Sequence, residues 1–212
     1  MSKIVVLDYG LGNIANVARA VLKFSEKVTI TDNKNDIKLA SHLILPGVGA
    51  FGDAMKELHD RGLVDVIINH AAMGKPLLGI CLGMQLLLSD SEEFGDHQGL
   101  DILPGSVNVI PTYRDNILWR KIPHIGWSGL HLKIDQDHSI FRSVNNSCEV
   151  YFVHSYMANM HNHNHVIAHI DYKGISIPAI INKDNVFGMQ FHPEKSAKPG
   201  LQLIENFLNI QT

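Results

Sequence analysis

Cys81 has the sequence surroundings of a catalytic nucleophile, with a glycine two residues away on either side in Gly79-Ile80-Cys81-Leu82-Gly83. A short apolar run precedes this segment, and the apolar run over residues 82–88 has helical spacing. The pattern Gly-x-Cys-x-Gly is typical of a nucleophile elbow, where a strand turns sharply into a helix and residues without a Cβ fit around the apex. At a helix N-terminus, unpaired N–H groups and the helix dipole favour the thiolate. The alternative is a buried structural cysteine beside two packing glycines.

Two nearby stretches of backbone could bind an oxyanion next to such a thiolate. In an elbow, the N–H of Leu82 would lie where a negative charge develops on the substrate. The segment Pro46-Gly47-Val48-Gly49 offers a flexible backbone whose N–H groups could supply a second donor. Residues 47–52 also match the dinucleotide fingerprint G-x-G-x-x-G. They follow the third predicted strand rather than the first, so we favour the oxyanion-hole interpretation.

A thiol nucleophile needs a base, and the base needs a group that orients it. The chain has 13 histidines, so their number does not select one. His192 is distinguished by its context, because it comes just after the predicted strand at residues 186–190 and is followed by Pro193, which stiffens the turn. Glu194 is close enough in sequence to bond to the imidazole and fix its tautomer. The alternative is a surface His-Pro-Glu turn.

The composition limits the class of protein and of partner. A length of 212 residues with 45% hydrophobic content is enough for one core, and predicts a single domain over residues 1–212. The net charge of −3 gives no electrostatic case for binding nucleic acid or a membrane. No apolar run approaches the roughly 20 residues of a membrane-spanning helix, and the N-terminal run is too short for a signal peptide. Two cysteines are no disulfide framework, which predicts a reducing, cytoplasmic environment.

Strands alternate with helices in the first hundred residues, which predicts parallel βαβ units and an open, mostly parallel sheet with flanking helices. Predicted strands cover residues 4–7, 28–30, 42–45 and 77–80, and predicted helices cover residues 14–24, 51–58 and 63–72. Because functional sites lie beyond the carboxyl ends of parallel strands, residues 10–13, residues 46–52 and Cys81 should meet at one edge of the sheet.

The second half of the chain is rich in short β segments and has no long helix before its end. Predicted antiparallel or mixed strands cover residues 107–110, 130–134, 149–154, 166–170, 178–181 and 186–190, and a last helix covers residues 200–210. The histidines at 161, 163 and 165 alternate on a polar connector, but nothing supplies further convergent ligands. We therefore expect a solvated hairpin there, with no metal and no cofactor. Cys148 is expected to be a packed or partly exposed thiol.

Six ordered motifs give the chain its resemblance to a known family. They are Asp8-Tyr-Gly-Leu-Gly-Asn-Ile14, Pro46-Gly-Val-Gly-Ala-Phe-Gly52, Gly79-Ile-Cys-Leu-Gly-Met-Gln85, Pro123-His-Ile-Gly-Trp127, Tyr151-Phe-Val-His-Ser-Tyr156 and Gln190-Phe-His-Pro-Glu-Lys-Ser196. The chain resembles class I, triad-type glutamine amidotransferases, and within them the glutaminase subunits of imidazole glycerol phosphate synthase. The elbow and the His-Pro-Glu segment belong to the whole class, whereas the first, fourth and fifth motifs point to the subfamily.

The resemblance implies a role for each matching position. By this resemblance, the triad of this chain would be Cys81 as nucleophile, His192 as base and Glu194 as the partner that orients the base. The oxyanion hole would be formed by Leu82 and the Val48–Gly49 peptide. The implied glutamine-binding residues are Gln85, Ser155 and Tyr156. The implied docking face for a (β/α)₈-barrel synthase subunit includes Asn13, Trp127, Tyr151 and Lys195.

The resemblance also implies that ammonia released from glutamine passes to the barrel subunit for histidine biosynthesis, with no cofactor in this chain. Three other functions stay open. A paralogous glutaminase subunit could supply ammonia for nucleotide-sugar amidation in surface polysaccharide synthesis. A stand-alone cysteine hydrolase or peptidase could share the sheet, although Gln85 and residues 151–156 argue against it. A non-catalytic binding module would not need to keep Cys81, His192 and Glu194 together.

Overall fold

The computed structural model describes residues 3–114, 117–118, 120–133 and 138–211, and these form sixteen strands, six α-helices and three short 3₁₀ turns. The strands are β1 Ile4–Leu7, β2 Val28–Thr31, β3 His42–Gly47, β4 Leu77–Cys81, β5 Leu88–Ser91, β6 His97–Gln98, β7 Leu103–Val109, β8 Tyr113–Arg114, β9 Ile117–Leu118, β10 His124–Gly129, β11 His131–Leu132, β12 Glu149–His154, β13 Tyr156–Met160, β14 Val166–Asp171, β15 Ser176–Lys183 and β16 Val186–Met189. The helices are α1 Ile14–Val21, α2 Lys34–Leu39, α3 Phe51–Asp60, α4 Val64–Ala72, α5 Leu82–Leu86 and α6 Ala197–Leu208. The 3₁₀ turns are Ser139–Phe141, His163–His165 and Pro193–Lys195.

A central eight-stranded sheet runs in the order β2-β1-β3-β4-β16-β15-β14-β11. The five strands from β2 to β16 are parallel, and the remaining three pair antiparallel. This confirms the predicted open, mixed and mostly parallel sheet. β3 and β16 flank β4 on either side, so the segments after β3 and β16 both emerge beside the end of β4.

Helices cover both faces of the parallel strands, which explains their continuous apolar sequences. Along β1, the side chains of Val5 and Leu7 pack with α2, α3 and α4, while Ile4 and Val6 pack with α1 and α6. All four residues of β1 are buried. Since successive side chains of a strand point to opposite faces, a strand buried on both faces needs an apolar residue at every position.

The second half of the chain is built largely from β-strands, as predicted. A second sheet of four strands, β13-β7-β5-β6, shares no strand with the central one, and two-stranded pairs are formed by β10 with β12 and by β8 with β9. β10 pairs antiparallel with β12 over its whole length, with Trp127 opposite Tyr151. β12 and β13 are joined by the single residue Ser155, where the chain passes from one sheet to the other.

Several predicted boundaries are wrong. The apolar run over residues 82–88 is helical only to Leu86, and Leu88 begins β5, which pairs with β7. A fully buried apolar run satisfies a helix or a strand equally well, so its pattern does not place the change. The predicted strand at residues 130–134 is interrupted at Leu130, which joins β10 to β11, and residue 134 lies outside the described residues. α6 begins at Ala197 rather than at residue 200, because Pro199 is tolerated in the first turn of a helix.

Other elements were missed or differ in length. α2 has a polar sequence and was not predicted, although the Asn33 side chain accepts bonds from the N–H groups of Asn35 and Asp36 as an N-cap. β10 was also missed, since it contains two glycines. α1 ends at Val21 rather than at residue 24. The connector with the three histidines joins β13 to β14, which lie in different sheets, so it is not the expected hairpin.

Candidate active site

Cys81 lies at the sharp turn between β4 and α5, as the glycine pattern predicts. Its backbone has φ 54° and ψ −112°, a conformation that is strained for a residue with a side chain. The chain packs so closely here that a Cβ on Gly83 would lie 1.8 Å from the carbonyl oxygen of Leu45. A Cβ on Gly79 would lie 2.5 Å from the carbonyl oxygen of Gly83. The two glycines are therefore required for the turn that presents the thiol.

His192 and Glu194 form a buried pair beside this turn. The Nδ1 atom of His192 lies 2.9 Å from Oε1 of Glu194, and the two side chains are almost completely buried. Ser196 holds the segment in place, since its hydroxyl donates to the carbonyl of His192 at 2.6 Å and accepts from the N–H of Tyr151 at 2.9 Å. The backbone N–H of His192 in turn donates to the carbonyl of Tyr151.

The pKa of His192 reflects its contacts with Cys81 and Glu194. Burial on its own would lower this pKa, because it disfavours the charged imidazolium. Hydrogen bonds and charge attraction from Cys81 and Glu194 outweigh that effect and raise the pKa to about 9. The imidazolium form is thus favoured at neutral pH by the sulfur of Cys81 and by the carboxylate that it bonds.

A cavity of about 640 Å³ opens directly over Cys81. The cavity is lined by Val48, Gly49, Cys81, Leu82, Gln85, Glu93, Phe94, Ile122, Pro123, Val153, His154, Ser155, Tyr156 and His192. It thus contains the predicted oxyanion-hole and glutamine-binding residues together with Cys81 and His192. Gly47, the last residue of β3, pairs with Cys81, which brings the Val48–Gly49 peptide beside the thiol. Gly49 has φ +106°, a conformation that favours glycine.

Gln85 is held so that only its oxygen remains available to a ligand. Its Nε2 donates to the carbonyl oxygen of Tyr156 at 3.1 Å and to Oε1 of Gln190 at 3.0 Å. Both N–H bonds of the amide are therefore used within the protein. The Oε1 atom of Gln85 is left as the acceptor that a substrate in the cavity can use.

Six residues of the cavity lining were not predicted as site residues: Glu93, Phe94, Ile122, Pro123, Val153 and His154. Glu93 is mostly buried, and its Oε2 accepts a bond from the N–H of Phe51 at the start of α3. Burial raises the pKa of this carboxyl group. Phe94 is 84% exposed at the rim of the cavity. Glu93 and Phe94 lie between β5 and β6, outside the six motifs, and only a charged side chain next to an apolar one in Ser91-Glu-Glu-Phe94 could have drawn attention to them.

Tyr9 lies beneath the loop that follows β3. Its side chain is fully buried, and a Cβ on Gly47 would lie 2.7 Å from its hydroxyl oxygen. Burial, and to a smaller extent the negative charge on Cys81, raise the pKa of this hydroxyl. Among the residues that the structure describes, the hydroxyl has no hydrogen-bond partner.

The predicted docking residues lie near the surface around the same edge. Trp127 is 50% exposed, and its ring makes an edge contact with Tyr151 at 5.9 Å between centroids. Lys195 is exposed next to Glu194, and Asn13 is partly buried at the N-terminus of α1. The Ser196–Tyr151 bond ties the Lys195 turn to β12, so three of the four residues are on neighbouring elements.

The structure also bears on metal ligands, membrane-spanning helices and the second cysteine, Cys148. Within the described residues, no group of three or more histidine, cysteine, aspartate or glutamate side chains could hold a metal ion. In the same part of the chain, no helix has the length and apolar character needed to cross a membrane. Cys148 is a free, partly buried thiol, and burial raises its pKa.

The fold and the site together define an α/β protein with a cysteine at a strand-to-helix elbow and a buried histidine–glutamate pair beside it. The sequence matches the family described as glutamine amidotransferase class-I over residues 5–210. The chain belongs to this family.

Curated relatives match over nearly the whole chain. "Imidazole glycerol phosphate synthase subunit HisH 1" of Legionella pneumophila strain Paris is 44% identical, covering 99% of this chain and 100% of the relative. The HisH subunit of Chloroflexus aurantiacus is 43% identical, covering 97% and 94%. Among solved structures, PurLQS from Thermotoga maritima superposes with a TM-score of 0.74 at 19% identity, covering 98% of each chain. A crystal structure of a glutamine amidotransferase gives a TM-score of 0.72 at 18% identity, covering 96% and 98%. These two likenesses concern the fold alone.

Proposed function

We propose that this chain is the glutaminase subunit of an imidazole glycerol phosphate synthase, acting as one glutamine amidotransferase domain over residues 1–212. The observation that carries the proposal is that Cys81 lines one cavity together with His192, whose imidazole is bonded to the buried Glu194. The names of the curated relatives, which match over 100% and 94% of their length, support the choice of synthase.

The proposed reaction begins with attack of the Cys81 sulfur on the side-chain amide carbon of glutamine. The C–N bond breaks, and the His192 imidazolium gives its proton to the leaving nitrogen, so that ammonia departs. A γ-glutamyl thioester remains on Cys81. Water, deprotonated by the now neutral His192, hydrolyses the thioester to glutamate and regenerates the thiolate–imidazolium pair. Glu194 keeps the imidazole oriented throughout.

The cavity residues account for recognition of glutamine. The N–H groups of Leu82 and of the Val48–Gly49 peptide would bind the oxyanion, because both peptides line the cavity at the thiol. Gln85 offers its Oε1, and Ser155 and Tyr156 border the same space and would hold the α-amino and α-carboxylate groups. The buried carboxylate of Glu93 is a further acceptor suited to the α-ammonium group.

The ammonia must reach a second active site, since a charged ammonium ion in bulk water is no nucleophile. We propose that a (β/α)₈-barrel synthase subunit docks on the face with Asn13, Trp127, Tyr151 and Lys195 to form a heterodimer. Within that complex the ammonia would serve a lyase reaction of histidine biosynthesis in the cytoplasm. The proposal includes no cofactor, metal, nucleic acid or membrane partner for this chain.

Release of glutamate from glutamine tests the proposal most simply. The purified chain is assayed alone, with the barrel subunit encoded in the same genome, and with that subunit plus its ribonucleotide intermediate, with Cys81→Ala as the blank. We expect the rate to rise with the loaded barrel and to vanish in the blank.

Other results would redirect the assignment. Stimulation by a barrel subunit but not by the ribonucleotide would favour the polysaccharide-pathway paralogue. Full activity without any partner would favour a stand-alone hydrolase. An active Cys81→Ala variant would exclude the proposed chemistry.

A further inference from the structure

A chain of hydrogen bonds connects β10 with the wall of the cavity through two buried histidines. The Oγ of Ser128 lies 3.1 Å from Nε2 of His124, and Nδ1 of His124 lies 3.1 Å from Nε2 of His154. Nδ1 of His154 then lies 2.8 Å from the carbonyl oxygen of Tyr156. Both imidazoles are buried, and the proposed chemistry uses neither of them.

The order of these bonds fixes the position of every proton. A carbonyl oxygen only accepts, so His154 must carry its proton on Nδ1. In a neutral imidazole its Nε2 is then an acceptor, and His124 must donate from its own Nδ1. The Nε2 of His124 accepts in turn from the Ser128 hydroxyl. Both rings are neutral in this arrangement, which agrees with burial lowering the pKa of His124 and lowering that of His154 to about 4.

The same carbonyl receives a second bond from the substrate side. Nε2 of Gln85 donates to the Tyr156 oxygen at 3.1 Å and to Gln190 at 3.0 Å. The Tyr156 carbonyl is therefore shared by the histidine chain and by the amide that offers Oε1 to the cavity. Because an amide with both N–H bonds engaged has a fixed orientation, the histidines and Gln190 together determine which way Gln85 points.

Packing makes the His124 ring a rigid support. Its centroid lies 5.1 Å from that of Phe152 and 4.2 Å from that of Tyr172, and His124 is paired with His154 across β10 and β12. On the opposite side of β10, Ile125 and Trp127 are at least half exposed. One strand thus presents an apolar surface outward and a hydrogen-bonding support inward.

We propose that His124 and His154 are positioning residues for glutamine recognition, which hold the Tyr156 carbonyl and through it the amide of Gln85. Neither residue takes part in bond breaking. This inference deepens the proposed function and rests on it. Loss of the chain should weaken the fit of the amino-acid part of glutamine and leave the reactivity of the Cys81 sulfur intact.

Two electrophiles separate these effects. Acivicin carries the α-amino and α-carboxyl groups of glutamine, whereas iodoacetamide has neither and reports the reactivity of the thiol. Modification is followed by mass spectrometry of the Cys81 peptide, so that Cys148 does not interfere. In His124→Phe, which keeps an aromatic ring but removes both bonds, we expect modification by acivicin to slow about tenfold. The rate with iodoacetamide should stay within about twofold.

His42→Phe is the matched control. His42 is also buried and bonded through both ring nitrogens, and it packs on Phe207 away from the cavity. Both rates should be unchanged in this variant. If His124→Phe slowed modification by both reagents equally, or slowed neither, the positioning role of the two histidines would be overturned and the proposed function would not. If the wild-type chain reacted with iodoacetamide but not with acivicin, both the proposed function and the positioning role of the two histidines would be overturned.

The proton positions give a test that needs no variant. Long-range ¹⁵N–¹H NMR of the full chain distinguishes the two neutral tautomers of histidine and the imidazolium. We expect His124 and His154 to be neutral and protonated on Nδ1 at pH 7. If either ring were protonated on Nε2, or on both nitrogens, the proposed order of hydrogen bonds from Ser128 to Tyr156 would be overturned.

Discussion

At the scale of the residue, the site depends on ionisable groups that are removed from water. His192 is almost fully buried, yet its pKa is raised to about 9, because the sulfur and the carboxylate beside it outweigh the cost of burial. A histidine that stays protonated at neutral pH can act first as the acid for the leaving ammonia. This is the order of events that the proposed mechanism needs.

The raised pKa predicts an alkaline limit to activity. As the pH rises through about 9, His192 loses the proton that the leaving nitrogen requires, so kcat/KM for glutamine should fall. Glu194→Gln removes one of the charges that raises this pKa and should move the limit to lower pH. The measurement is the pH profile of both proteins in the complex with the barrel subunit. An alkaline limit that does not move in Glu194→Gln would contradict the assigned role of the pair.

The same shift makes a contribution to stability. The pKa of His192 is higher in the folded chain than in the unfolded one, so its contribution is complete below about pH 6.5. That contribution is lost as the pH rises from there through about 9. His154 has the opposite effect, because its pKa is lower in the folded chain than in the unfolded one. Below about pH 6.5 the unfolded chain binds a proton there that the folded chain does not, so stability falls as the pH falls. The free energy of unfolding, measured with denaturant across this pH range, should therefore be highest near pH 6.5.

The buried hydroxyl of Tyr9, which forms no hydrogen bond with the described residues, leads to a prediction about stability. Its buried hydroxyl has no partner among the described residues, and an unsatisfied buried donor costs roughly 1 kcal/mol or more. Tyr9→Phe should therefore raise the free energy of unfolding by about 1 kcal/mol. In the control, Tyr172→Phe, a hydroxyl that donates to the carbonyl of Lys121 is lost, and stability should not rise. A destabilised Tyr9→Phe would mean that the hydroxyl is bonded in solution.

Sequence reasoning finds site residues that have informative neighbours. Cys81 was identified from its glycines, and His192 and Glu194 from a strand end and a proline. Glu93 could not be found this way, since the residue it caps, Phe51, is 42 positions away. Ser196 was noted only as the end of a motif, because its bond to the N–H of Tyr151 spans 45 positions.

At the scale of the element, the elbow depends on the absence of two side chains. Gly83→Ala would place a Cβ 1.8 Å from the Leu45 carbonyl oxygen, and this neighbour is backbone that cannot move easily. We expect a loss of more than about 3 kcal/mol in stability, or no folded protein. Gly129→Ala is the control, since the nearest atom to its Cβ would be 3.4 Å away. Unfolding by urea measures both, and a Gly83→Ala chain as stable as the control would refute the close approach.

The hydrophobic pattern predicts buried parallel strands better than it predicts what joins them. β1, β3 and β4 were found because strands covered on both faces are apolar at every position. α2 was not predicted, because its six residues are mostly polar and its one buried side chain is Ile37. The end of α5 could not be placed, since Leu86, Leu87 and Leu88 are all fully buried whatever element they form.

At the scale of the whole molecule, the proposed docking face can be tested directly. Trp127 is half exposed beside Tyr151, as expected of an aromatic anchor at an interface. Trp127→Ala should weaken binding to the barrel subunit about tenfold or more, measured by calorimetry. Modification of Cys81 by iodoacetamide in the free chain should not change.

The control for docking lies at the other end of the sheet. Leu39 is 71% exposed at the end of α2, on the side where the parallel strands begin. Leu39→Ala removes a similarly exposed apolar side chain and should leave binding unchanged. Equal effects of the two substitutions would place the interface elsewhere.

The overall architecture was predictable because parallel strands and crossover helices leave a strong sequence pattern. The separate four-stranded sheet was not, since its strands are short and come from positions as far apart as Leu88 and Met160. The cavity lies where the two sheets meet: Cys81 ends β4 and His192 follows β16 of the central sheet, whereas Tyr156 begins β13 of the other. The predicted catalytic residues therefore come from the predictable central sheet, and part of the predicted glutamine-binding surface comes from the other sheet.

The most direct test of the central claim is to trap the covalent intermediate. The complete complex is mixed with glutamine, quenched in acid within milliseconds to seconds, and digested for mass spectrometry of the Cys81 peptide. The proposed mechanism predicts a γ-glutamyl adduct on Cys81, absent from Cys81→Ala and from the Cys148 peptide. Turnover of glutamine without this adduct, and with activity retained in Cys81→Ala, would contradict the assignment of Cys81 as the nucleophile.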